Sequence, residues 1–102
     1  MYMKFNTNTI VPKIMKMKTE VYMIEKIVKE VYDLMVINDS MEFASAIEKM
    51  IGEIPKLEYF NEEMDSIKEC LIDVYDGYET KEDAILYMNF MKRVIQGTKD
   101  YM

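Results

Sequence analysis

From Ile10 to Met35, apolar residues recur at alternating steps of four and three: Ile10, Ile14, Met17, Val21, Ile24, Val28, Val31 and Met35. A strand needs a period of two, so this stripe commits about a quarter of the chain to helix. Ile27 and Leu34 widen the stripe to the breadth of a core-facing helix. Thr9 stands where a cap is expected, and Pro12 would fall in the first turn, where its missing N–H costs nothing. The spacing predicts a first helix over 11–36, close to ~40 Å long at ~1.5 Å per residue. Its outer side carries Lys16–Glu20, Glu25–Lys29, Lys26–Glu30 and Lys29–Asp33, all at i,i+4 and each expected as an ion pair. Residues 1–9 show no helical period, which leaves room for a short extended arm.

Three shorter stripes follow. Asp39 with Glu42 fits a cap, Phe43, Ile47, Met50 and Ile54 share one face, and Gly52 with Pro55 should end that helix. Asn61 is placed to cap a third helix, with Glu62 and Glu63 in its first turn, where the helix dipole favours acids. Its inner face is Phe60, Met64, Ile67, Leu71, Val74 and Tyr78. Gly77 should stop it, and Thr80 with Asp83 should start a fourth helix over 81–96 that ends before Gly97, leaving 97–102 as a frayed tail. The expectation is an all-α chain of one domain over 1–102, a small four-helix bundle with one long N-terminal helix. The three shorter helices reach only about 20 Å each, too little to cover the first along its length.

Composition narrows the function classes. The chain has 102 residues, half of them hydrophobic, with no His, no Trp, one arginine (Arg93) and one cysteine (Cys70). Without His, the commonest general base and a leading metal ligand are missing. With one arginine, bidentate phosphate recognition is disfavoured. Cys70 has no partner for an intrachain disulfide and no neighbouring cation to lower its pKa, so a reducing cytoplasm and an unreactive thiol are expected. No apolar run reaches the ~20 residues of a membrane span, and the N-terminal stretch lacks the features of a signal peptide. The twelve methionines suit compliant cores and adaptable binding surfaces alike.

Charge is split along the chain. Residues 1–36 hold six lysines and four acids, while 37–102 hold seven basic residues and fifteen acids. The stretch IDVYDGYETKEDA (72–84) gathers five carboxylates around Gly77. A calcium loop centred on that glycine would need ligands at Ile72 and Val74, which are apolar, so a helix stop followed by a helix start is the better explanation. A more informative pattern lies on the third helix. Glu62, Asp65, Glu69, Asp73 and Asp76 are spaced three, four, four and three. At that spacing they fall within an arc of about 80° opposite the apolar stripe. Like charges so placed repel, and the first helix avoids this by alternating signs. One charge about every 5 Å is the same order as the ~3.4 Å charge spacing of one DNA strand. Carboxylates on one helix face diverge, so this row suits neither a metal nor an acid/base pair.

A solvated solubilising face is the simpler account of the row. The functional account is a non-enzymatic module, without cofactor or metal, whose acidic face contacts a basic, nucleic-acid-binding protein surface, with no nucleic acid or membrane bound directly. In character the chain is similar to phage or mobile-element inhibitors of host machinery, anti-CRISPR and other DNA-mimic proteins among them. That likeness implies a host-cytoplasm inhibitor, and no motif carries it. The alternative is a self-associating helical adaptor, a homodimer through the first helix or through an apolar patch at Leu86 and Phe90. The fourth helix has Ala84, Met88, Met91 and Ile95 on one side, with Tyr87, Leu86, Phe90 and Val94 extending them. Its apolar arc covers about 200° of the helix surface, more than one interface needs.

Overall fold

The long stripe forms a helix over Thr7–Met35 (α1), followed by Ser40–Glu53 (α2), Asn61–Tyr75 (α3) and Lys81–Asp100 (α4). The computed structural model describes residues 7–37 and 40–102. Among the described residues there are four helices and no strand, as the periodicities require. The helices alternate in direction. Lys81 at the start of α4 donates its ammonium to the carbonyl of Ile37, and Lys99 near its end pairs with Glu25 at 3.0 Å. The end of α2 lies beside Met23, Ile27 and Glu30, and Phe60, just before α3, lies beside Glu20. The result is an up-down-up-down bundle in which α1 packs most extensively on α4.

The core is the meeting of the four stripes. Val21, Ile24, Val28, Val31 and Met35 of α1 are buried against Ile47 of α2, Met64, Ile67 and Leu71 of α3, and Ala84, Met88, Met91 and Ile95 of α4. No helix is long and apolar enough to cross a membrane.

Several boundaries differ from expectation. Residues 7–9 belong to α1 rather than to an arm, and residues 1–6 lie outside the described residues, as does the proposed cap Asp39. Pro12 therefore sits inside the helix, where it has no N–H to offer the carbonyl of Asn8. Gly52 ends its helix together with Pro55 as expected, α2 stopping at Glu53, whereas Gly97 does not end its own, α4 running three residues past it. Neither has a positive φ. The supposed frayed tail is held by Lys99 on Glu25 and by Thr98, whose hydroxyl donates to the carbonyl of Val94 at 3.0 Å.

At Gly77 the expectation is met. Its φ of +84° lets the chain leave α3 through a paired closure of the kind that satisfies a helix's last carbonyls. The Tyr78 N–H reaches the Asp73 carbonyl at 2.8 Å and the Gly77 N–H reaches that of Val74 at 3.2 Å. Thr80 then caps α4 by accepting from the Asp83 N–H at 3.0 Å. The turn carries Tyr78 away from the stripe it was assigned to, and its ring is exposed.

Candidate functional site

The third stripe places α3 with Met64, Ile67 and Leu71 inward, so whatever lies opposite must face water. Opposite lie Glu62, Asp65, Glu69 and Asp76, all exposed, and Asp73, half-buried. Asp76 is one residue beyond the helix, but its φ of −82° and ψ of −4° keep it in helical register with the others. The five carboxylates are thus one ridge. Among the described residues the ion pairs are Lys16–Glu58, Lys49–Glu53 and Lys99–Glu25, and none of them neutralises the ridge. At its start the Asn61 amide donates to the Asp65 carboxylate at 3.1 Å, a neutral donor that leaves the charge in place. Asn61 is the first residue of α3 rather than its cap.

Tertiary packing adds what the helical wheel could not show. The α3–α4 corner brings Glu79 and Asp83 beside Glu69 and Asp73, so four carboxylates from three segments edge a groove of about 290 Å³. Cys70 and Tyr87 also line it. Burial, with the charges of Glu79 and Asp73 behind it, pushes the Cys70 thiol up to about 11, which leaves it protonated and poorly nucleophilic at neutral pH. No group of three or more acids, histidines or cysteines among the described residues could hold a metal ion.

Along α4 beside this groove, Leu86 is 65% exposed and Phe90 49% exposed. Both side chains of the suggested apolar patch therefore stand at the surface, with Val94 one turn further on. The Phe90 ring stacks on that of Tyr87, centroids 6.3 Å apart, within the range of favourable aromatic pairs. On a different face, Lys26, Lys29 and Lys92 line a cleft between α1 and α4 together with Glu25 and Asp33. There Lys92 lies 4.8 Å from the ring centre of Tyr32, close enough for a cation–π contact.

The predicted i,i+4 pairs on α1 are replaced by longer-range partners. Lys16 pairs with Glu58 and Glu25 with Lys99, while Lys26–Glu30 and Lys29–Asp33 form no ion pair. Glu20, assigned to the solvated face, is buried. Its carboxylate accepts the backbone N–H groups of Glu58, Tyr59 and Phe60 at 3.0, 2.8 and 3.1 Å. This bonding holds the α2–α3 loop and sets where α3, and hence the ridge, begins. Desolvation pulls the Glu20 pKa upward, but the three donors and the nearby Lys16 outweigh it, so the net shift is downward. Its sequence environment, a glutamate four residues after a lysine on a helix, gave no sign of this role.

Compared with protein-family models, with curated proteins and with solved structures, the chain matches none.

Proposed function

We propose that this chain is a non-enzymatic inhibitor or regulator that binds another protein. On this proposal the α3 ridge occupies a basic surface on the target, of the kind that otherwise holds a nucleic-acid backbone. The observation that carries the proposal is the unneutralised ridge itself. Five carboxylates stand in one helical register, and no lysine or arginine among the described residues pairs with them. A rigid row of charges at about 5 Å intervals offers a phosphate-binding groove a pre-organised substitute for nucleic acid. Its backing by the bundle core means that little ordering entropy is lost on docking. The proposal extends to a phage or mobile-element protein acting in the host cytoplasm, as anti-CRISPR and other DNA-mimic proteins do.

The test is affinity capture from host lysate with the wild-type chain and with a Glu62→Lys, Asp65→Lys, Asp76→Lys variant. The wild type should retain a nucleic-acid-binding protein, release it as salt rises, and compete with DNA or RNA for it. The variant should capture nothing while its circular dichroism stays helical. Equal capture by the two proteins would refute the ridge as the contact.

A further inference from the structure

The start of α1 projects beyond the bundle. Full burial on α1 begins at Glu20 and Val21, yet the helix extends back to Thr7. That lead of thirteen residues is about 20 Å long at ~1.5 Å per residue. Among its described side chains, contact with the rest of the molecule comes at its inner end, through half-buried Met17 and the Lys16–Glu58 pair. On this overhang Val11, Ile14 and Met15 are exposed, with Ile14 open to 43% although it belongs to the core stripe. Lys13, Lys16 and Lys18 are the charged residues between Thr7 and Thr19, with no acid among them. An unsupported helix of this length is marginal in water, and the bundle leaves Val11, Ile14 and Met15 uncovered. Because α1 is continuous through Glu20, the overhang cannot fold back onto its own molecule.

The complementary surface is on the same chain. Leu86, Phe90 and Val94 form an exposed apolar rail along α4. Eight residues of helix give that rail a span of about 12 Å. The neighbouring edge of the α3–α4 groove carries Glu69, Asp73, Glu79 and Asp83. One rail is apolar and the other acidic, which suits a helix that carries both apolar and basic side chains, as Val11, Ile14 and Met15 with Lys13 and Lys18 do here. We propose that two copies of this chain pair by exchange, each seating the basic overhang of α1 in the other's α3–α4 groove. A twofold axis makes the exchange reciprocal and closes the assembly at a dimer. Charge decides against the simpler pairing of two overhangs, which would set Lys13 and Lys18 of one copy against those of the other, Lys16 being paired with Glu58. It also decides against an anionic membrane, which the acidic remainder of the molecule repels. Glu69 and Asp73 belong to both the ridge and the groove, whereas Glu62, Asp65 and Asp76 do not line the groove, so substitutions at these three test target binding apart from self-pairing.

The test uses light scattering with size exclusion over a wide concentration range, on the wild type and two exposed-site variants. One is Val11→Glu with Met15→Glu, and the other Leu86→Glu with Phe90→Glu. The wild-type mass should move with concentration from 12.2 kDa towards twice that value. The shift should come less readily at high salt. Each variant should dissociate at concentrations at least about tenfold higher than the wild type, with helicity unchanged. An equimolar mixture of the two should recover dimer, since one intact overhang then meets one intact groove. A wild type that stays monomeric, a groove variant that still dimerises, or a mixture without recovery would each overturn the proposal. So would binding of monomeric wild type to phosphatidylserine vesicles through Val11 and Met15, which would assign the overhang to lipid. The Glu62, Asp65, Asp76 variant should still dimerise, so a lost target and a lost dimer are distinct results.

Discussion

The Glu20 carboxylate lies beneath the α2–α3 loop and accepts three consecutive backbone N–H groups there. A buried charge is tolerated because those donors replace water, and it is the better acceptor for being ionised. Glu20→Ala leaves all three donors without a partner and should lower unfolding free energy by about 2–4 kcal/mol at neutral pH. Glu20→Gln keeps one acceptor oxygen and should lose about half of that. Since folding depresses the Glu20 pKa, its ionised contribution is complete above the ordinary glutamate value of 4.5 and is lost as pH falls through the lower folded value. Urea denaturation from pH 7 to about pH 3 should therefore show an acid-side loss in the wild type that is shallower in the Gln variant. An equally steep loss in both would assign the acid limb to other carboxylates. Spacing marked Glu20 as one half of a surface pair with Lys16. Only the third dimension brings 58–60 within its reach.

The three glycines look alike as letters and act differently in their elements. Gly77 is the one with positive φ, and it closes α3. Gly97 lies inside α4 with helical neighbours on both sides, and a Cβ added there meets nothing within 4 Å. Gly77→Ala should cost about 1 kcal/mol through left-handed strain. Gly97→Ala should stabilise by about 0.5–1 kcal/mol, because the unfolded chain loses freedom that the helix never used. Chemical denaturation of the two single variants decides it, and shifts of the same sign would contradict the assignment. The stop at Gly77 was legible because Thr80 and Asp83 follow with capping spacing. The continuation through Gly97 was not, since it depends on Lys99 finding Glu25 on another helix. A similar division applies to the ridge. Its register is a local property of 62–76, while the groove beside it needs the α3–α4 corner to bring in Glu79 and Asp83.

At the scale of the whole molecule, the mismatch between one long helix and three short ones sets where stability is lost first. Backbone amides near the start of α1 gain little protection from the core, whereas those around Val28 and Val31 sit where burial is complete. Hydrogen exchange under dilute, monomeric conditions should show the overhang exchanging far faster than the rest of α1. The protection should rise at dimer-forming concentrations if the groove of a second copy covers it. Uniform protection along α1 in the monomer would mean the overhang is stabilised by something other than packing.

The letters alone determined which faces are greasy and which are charged, because helical period is a property of consecutive residues. Four stripes, their order and the row of carboxylates from Glu62 to Asp76 all follow from that period. What only the fold decided is which charges are spent internally and which are left to face solvent. Glu20 and Glu25 were drawn into contacts dozens of residues away, while the α3 ridge met no cation among the described residues. Likewise, Leu86 and Phe90 belong to an apolar arc on paper, and became surface because α1 and α3, on which α4 packs, cannot surround every side of it. Electrostatic pairing and burial act through space, between segments the chain order keeps apart, so no local pattern encodes them.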